Sequence, residues 1–183
     1  MVEKQRVAER HFEYKGLFKF RELFRIMDFW LRDKFYDKKE KYTSKMETPL
    51  GIQYNLQFEP WKKVTDYYKI VLEIEMTVTA LREVEVELNG EKQKVNHGKV
   101  EVKITSFLVF DYENKFEDAE KPFLYFLRHI MNFFVYKHIT KKYWEMAVDE
   151  ATDLENTMRS YLNTFQHKME ESYETGHEHT RYA

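Results

Sequence analysis

The segment from Asp118 to Ser172 contains no glycine and a single proline, Pro122, at a position where the first turn of a helix tolerates it. We predict one long helical segment here. A continuous helix of this length would extend about 80 Å at ~1.5 Å per residue, whereas a compact domain formed by a chain of this size measures roughly 40 Å across. The helix must therefore bend or leave the domain, and we expect this between Thr140 and Met146.

The two halves of this segment carry different apolar patterns. In Phe123–Ile139 apolar residues cover most of the helix circumference, which predicts a core helix buried on several sides. Further along, the apolar positions narrow to one heptad seam with acidic flanks. The seam consists of Ala147, Ala151, Leu154, Met158, Tyr161 and Phe165. It could pack back on the same domain or against a second copy of the chain. The polar segment from Tyr173 onward is expected to fray.

Upstream of this segment the sequence predicts mostly strands. His11–Lys15 alternates between apolar and polar residues, and an amphipathic helix follows from Phe20 to Leu31. Two-residue periods then recur from Ile52 to Phe110, where hairpin signals indicate antiparallel pairing. These turn signals are Asn89-Gly90 and Asn96-His97-Gly98.

The final strand is expected to reach Phe110, with Phe107 and Val109 making its outer end apolar as well. The mixed-charge run 33–44 has room for one poorly patterned edge strand. The predicted fold is therefore α+β: an antiparallel sheet of about five to six strands, a short N-terminal helix, and a long C-terminal helix across the apolar face. We divide the chain into an α+β domain at 1–145, a helical extension at 146–172 and a flexible tail at 173–183.

The order strand, helix, about five antiparallel strands and long C-terminal helix resembles that of the helix-grip, or START-like, superfamily of lipid and small-ligand binding proteins. The resemblance covers roughly residues 9–145 and rests on element order without a diagnostic motif. It implies a sheet curled around the C-terminal helix, often enclosing an apolar cavity. Candidate lining residues for such a cavity are Tyr68, Leu72, Met76, Phe126, Ile130 and Phe134.

Composition narrows the classes of function. The chain has no cysteine, which removes cysteine nucleophiles and thiolate metal sites. Its five glycines build no phosphate loop or dinucleotide motif, and the acidic residues of the predicted strands fall on their solvent-facing phase. We therefore expect a protein that is not an enzyme and uses no cofactor or metal. The start lacks a secretory signal and no segment is apolar enough to span a bilayer, so we expect a cytoplasmic protein. Abundant Lys and Glu favour a heat-adapted one.

One basic cluster could contact nucleic acid. It consists of Lys34, Lys38, Lys39 and Lys41. Tyr36 and Tyr42 lie among these lysines, and a mixture of positive charge and aromatic rings is typical of nucleic-acid surfaces. Nearby Asp33, Asp37 and Glu40 neutralise part of the charge, and the whole chain has a net charge of -2.

Three hypotheses for function follow from the sequence. The leading one is an interaction module that self-associates as a homodimer, or docks on a larger assembly, through the C-terminal seam. The second is a binder of an apolar small molecule or lipid, and the third is an RNA- or ribosome-associated factor.

Overall fold

The computed structural model describes the backbone of residues 3–88, 91–110 and 136–179, and the side chains of residues 4–86, 92–110 and 140–169. The elements in chain order are β1 (Glu3–Phe18), α1 (Phe20–Asp33), β2 (Glu40–Thr48), β3 (Gly51–Phe58), β4 (Trp61–Lys63), β5 (Tyr68–Leu88), β6 (Glu91–Phe110) and α2 (Tyr136–His179).

The strands form one antiparallel sheet in the order β1-β6-β5-β3-β2, and the short β4 also pairs with β5. This confirms the predicted α+β class. Strand β1 is much longer than the predicted His11–Lys15 and pairs with β6 along its whole length. Leu88 pairs with Glu91 across the hairpin of β5 and β6, whereas the predicted turn residues Asn89 and Gly90 lie outside the described residues.

The second predicted turn, at Asn96-His97-Gly98, is wrong, because β6 runs straight through it. Asn96 serves the start of α1 instead: its side-chain oxygen accepts a hydrogen bond of 3.1 Å from the Phe20 backbone N–H. Gly98 lies opposite a bulge in β5, where a Cβ atom would approach the Thr79 carbonyl oxygen to 3.1 Å. Both residues are explained by contacts distant in sequence, which a local turn pattern does not reveal.

Helix α1 lies against the sheet as its three- and four-residue spacing predicts. Leu23, Met27, Trp30 and Leu31 are buried along one side. The helix ends in a turn where the Tyr36 N–H donates to the Leu31 carbonyl at 2.8 Å. Phe35 occupies this turn with φ of 60°, a left-handed conformation that glycine would adopt at lower cost.

Helix α2 is continuous across Thr140–Met146, where we expected a bend or departure from the domain. At the start of this segment the Tyr68 and Thr140 hydroxyls are 2.8 Å apart, and beyond it the Ser106 hydroxyl donates to the Ala147 carbonyl at 2.9 Å. The helix therefore stays on the sheet. It also continues to His179, past the predicted end at Ser172.

The heptad seam of α2 is buried within the chain. Ala147, Ala151, Leu154 and Met158 are fully buried, while Tyr161 and Phe165 are partly buried against the same core. The seam thus packs back on its own domain, one of the two alternatives left open by its sequence. The prediction that these six residues form an interface between two copies of the chain is therefore wrong, because the sheet already covers that side of α2. Part of the proposed extension 146–172 contributes to the domain core.

A second, smaller core lies near the tip of the β5–β6 hairpin, where Met169 packs with Val86 and Val95. Helix α2 therefore crosses the sheet from Tyr68 to this tip. An antiparallel sheet with a C-terminal helix across it is compatible with the helix-grip arrangement. The predicted core helix Phe123–Ile139 lies almost entirely outside the described residues.

Three buried polar side chains attach α2 to the remainder of the domain. The Tyr36 hydroxyl donates to the Glu150 carboxylate at 2.6 Å, and the Lys62 ammonium forms an ion pair with the other oxygen of the same carboxylate. Burial and the neighbouring charge of Glu150 raise the pKa of Tyr36. Next to this network the Trp30 indole N–H donates to Asp153 at 2.9 Å. These contacts connect α2 to β4 and to the end of α1.

Candidate nucleic-acid interface

The sheet has one face against the helices and one face away from them. On the inner face of β5, Tyr68, Leu72 and Met76 are at most 2% exposed. The alternate residues of β5 and β6 point to the outer face, where most are charged. At one end of that face the pattern changes, because Val71 and Val109 are only 5% exposed there. Phe107 pairs with Val71 across the strands, and Trp61 of β4 pairs with the same valine on its other side.

Lysines from four segments surround this apolar patch. We define the outer-face lysine cluster as Lys4, Lys39, Lys41 and Lys69. Lys4 comes from β1, Lys41 from β2 and Lys69 from β5, while Lys39 lies just before β2. The topology thus places at one end of the sheet residues that are distant in sequence.

Two carboxylates pair with three of these lysines. Glu59 lies 2.9 Å from Lys41, 3.3 Å from Lys39 and 3.6 Å from Lys4. Glu73 lies 2.5 Å from Lys4 and 3.8 Å from Lys41. Among the described residues, three lysines of the cluster share these two carboxylates, so this part of the site has more positive than negative charge although the whole chain has a slight excess of negative charge.

The pKa shifts of Glu59 and Lys41 reflect their pairing, and that of Lys69 reflects burial among other lysines. Burial alone would raise the pKa of Glu59, but hydrogen bonds from Lys41 and Lys39 outweigh it, so this pKa is lowered. The hydrogen bond to Glu59 raises the pKa of Lys41. Burial lowers the pKa of Lys69; the charge of Glu59 opposes this lowering, and the charges of Lys39, Lys63 and Lys4 add to it. An additional anion would relieve the repulsion between the lysines.

Aromatic rings lie directly under the ammonium groups. The Lys69 ammonium is 4.8 Å from the centre of a Trp61 ring, and that of Lys4 is 3.9 Å from the centre of the Phe107 ring. Trp61, Lys69 and Lys4 also line a cleft of about 250 Å³, whereas Phe107 lies outside its lining. Its lining consists of Lys4, Lys39, Glu59, Trp61, Lys69, Val71 and Val109. This site combines positive charge with flat apolar surface.

The four lysines that were predicted as one nucleic-acid-binding cluster lie in different places in the structure. Lys39 and Lys41 belong to the outer-face lysine cluster. Lys38 pairs with Asp28 of α1, and Lys34 lies 3.3 Å from Asp153 of α2, so these two lie elsewhere. Of the predicted aromatic partners, Tyr36 is buried and Tyr42 is exposed.

Sequence reasoning missed Lys4, Lys69 and Trp61 as members of this site. The available signal was apolar residues in the outward phase of two predicted strands, at Val71, Phe107 and Val109. Such residues indicate that something covers or binds this end of the sheet.

The predicted cavity-lining residues fall into two groups. Tyr68, Leu72 and Met76 belong to the same core as Ala147, Ala151 and Leu154 of α2. The other three, Phe126, Ile130 and Phe134, lie outside the described residues. A cavity lined by all six residues therefore stays a prediction. Within the described part of the chain, no group of three or more His, Asp or Glu side chains is arranged to hold a metal ion.

Comparisons with protein families, with curated proteins and with solved structures found no match for this chain. None of the described helices is both long enough and apolar enough to cross a membrane.

Proposed function

We propose that this chain is a non-enzymatic RNA-binding protein that holds single-stranded RNA on the outer face of its sheet. The observation that carries this proposal is the grouping of Lys4, Lys39 and Lys41 around Glu59, close to the rings of Trp61 and Phe107. Lysines attract the phosphate backbone, and aromatic rings provide surfaces on which unpaired bases stack. This is the third hypothesis drawn from the sequence, moved to a surface that includes only two of the predicted lysines.

The geometry favours a single strand over a duplex. A cleft of about 250 Å³ has room for a planar base, and its Trp61 wall is apolar. When a phosphate is bound, Lys69 can turn from the Trp61 ring to the phosphate and leave the ring free for a base. Each stacked base is worth about 1–3 kcal/mol, and this contribution depends little on sequence. A duplex would present only phosphates to this patch, because its bases are already stacked.

The test is a binding titration with a fluorescently labelled single-stranded RNA of about twelve nucleotides, followed by anisotropy at low salt. The variant Lys39→Gln/Lys41→Gln removes two positive charges from the cluster. The matched control Lys141→Gln/Lys142→Gln removes two positive charges from the exposed side of α2. We expect the cluster variant to bind at least tenfold more weakly and the control to change Kd less than twofold. Equal losses in both variants, or no binding by wild type, would reject the proposal.

The element order and the C-terminal helix across the sheet support membership of the helix-grip superfamily, and single-stranded RNA as a partner supports a cytoplasmic location. Docking on a larger assembly, such as a ribosome, would use the same outer-face lysine cluster, since the seam of α2 is buried.

A further inference from the structure

A stripe of side chains runs along α1 on the side opposite its buried residues. Glu22, Arg25, Phe29 and Asp33 follow each other at three- and four-residue steps, which places them on one side of a helix. Phe29 is 73% exposed, unusual for a residue of this size and apolar character. An open groove of about 730 Å³ follows the stripe, bounded on the α2 side by Thr157.

The charges of this stripe are incompletely paired within the chain. Glu22 lies 3.8 Å from the Lys19 ammonium group and accepts a hydrogen bond of 3.2 Å from the Tyr161 hydroxyl, and next to the stripe Arg32 pairs with Asp28 at 3.0 Å. Arg25 and Asp33 form no ion pair within the described part of the chain, and both are exposed. They lie four residues to either side of Phe29, so an exposed aromatic ring is flanked by one positive and one negative charge at equal spacing.

We propose that α1 binds α1 of a second copy in antiparallel orientation, with the two Phe29 side chains meeting at the two-fold axis. In this arrangement Arg25 of each copy faces Asp33 of the other, and the contact is the same in both directions, as a two-fold interface requires. A parallel pairing would place Arg25 against Arg25 and Asp33 against Asp33. The charge pattern therefore selects the antiparallel orientation.

The size of the surface predicts a weak dimer. Helix α1 has 14 residues, about 21 Å at ~1.5 Å per residue. Two such helices bury less than the roughly 1,200–2,000 Å² typical of stable complexes, so we expect a dissociation constant of about 10–500 µM. This dimer goes beyond the proposed RNA binding and uses the opposite side of the molecule from the outer-face lysine cluster. It also differs from a dimer through the α2 seam, which is buried.

The test is sedimentation velocity over protein concentrations from micromolar to millimolar, without RNA. For wild type, the mass should rise with concentration from the monomer value of 22.6 kDa towards twice that value. Phe29→Asp should leave a monomer throughout. Leu50→Asp is the matched control, because Leu50 is also exposed, at 67%, but lies away from α1. It should dimerise like wild type.

Charge exchange tests the orientation. Arg25→Asp and Asp33→Arg should each raise the dissociation constant about tenfold, since each replaces two attractive contacts by two repulsive ones. The double variant restores opposite charges across the axis and should return to within about threefold of wild type. A wild type that stays monomeric at millimolar concentration overturns the proposal, as does a double variant no better than the single ones. Circular dichroism on every variant identifies any that fails to fold.

Discussion

The buried contact between Lys62 and Glu150 makes a quantitative prediction about what holds α2 in place. The two side chains are only 10% and 11% exposed, and Tyr36, which donates to the same carboxylate, is a buried residue as well. Lys62→Met removes the ammonium group and leaves the carboxylate buried with one hydrogen bond from Tyr36. Breaking a buried pair from one side costs about 3–5 kcal/mol, so the free energy of unfolding should fall by about that amount.

Replacing Tyr36, Lys62 and Glu150 together should lower the free energy of unfolding far less. In Tyr36→Phe/Lys62→Met/Glu150→Leu no buried polar group is left without its partner, and apolar side chains of similar size fill the space. Such replacements are often neutral, and we expect a free energy of unfolding within about 1 kcal/mol of wild type. The contrast between the single and the triple variant separates a buried ion pair from a simple loss of packing.

Urea denaturation measured by tryptophan fluorescence is the appropriate assay, because Trp30 stacks on Tyr36 with ring centres 5.8 Å apart. Lys94→Met serves as control: Lys94 lies 2.8 Å from Glu83, but its side chain is 67% exposed. Its loss should cost far less than that of Lys62, because solvent screens an exposed ion pair. If Lys62→Met costs no more than this control, or if the triple variant is as unstable as the single one, the network does not hold α2 as described.

Three other expectations can be checked with the same denaturation assay. Leu154→Ala should lower the free energy of unfolding by about 2–5 kcal/mol, because the side chain is fully buried between α2 and the sheet; a change below about 1 kcal/mol would mean that α2 leaves the sheet. Phe35→Gly should raise stability by up to about 1 kcal/mol, since Phe35 is 87% exposed and left-handed; any loss would mean that its ring makes a stabilising contact. The lowered pKa of Glu59 means that its ionised form stabilises the folded chain above the unfolded pKa of about 4.3, and that this contribution disappears as pH falls through the folded value. Glu59→Gln should therefore show a weaker loss of stability on acidification than wild type, and an identical pH profile would contradict the pairing with Lys39 and Lys41.

The sheet and α1 could be predicted because their apolar residues repeat with the period of the element itself. The alternation in β5 predicts which side faces the core, and the spacing in α1 predicts its buried face. The turn predicted at Asn96-His97-Gly98 was wrong because these residues answer to contacts distant in sequence and not to a local pattern. These residues are typical of a turn, but here Asn96 serves the start of α1 and Gly98 accommodates a bulge in a neighbouring strand.

The heptad seam illustrates a different limit of prediction from sequence. Its spacing shows that one side of α2 must be covered, but the same spacing suits a sheet of the same chain or a helix of a second copy. Only the three-dimensional arrangement distinguishes them. The outer-face lysine cluster was equally hard to predict, since Lys4, Lys39, Lys41 and Lys69 come from separate segments and meet only because β1, β2 and β5 belong to one sheet.

The salt dependence of RNA affinity tests the proposed function most directly, because it counts the charge contacts made by the outer-face lysine cluster. For single strands, the logarithm of the binding constant falls with the logarithm of salt concentration by about 0.7 for each phosphate neutralised. We predict a slope of about -2 to -3 for wild type, and a slope weaker by about 1.4 for Lys39→Gln/Lys41→Gln. An unchanged slope in this variant, or binding that salt does not weaken, would contradict the account.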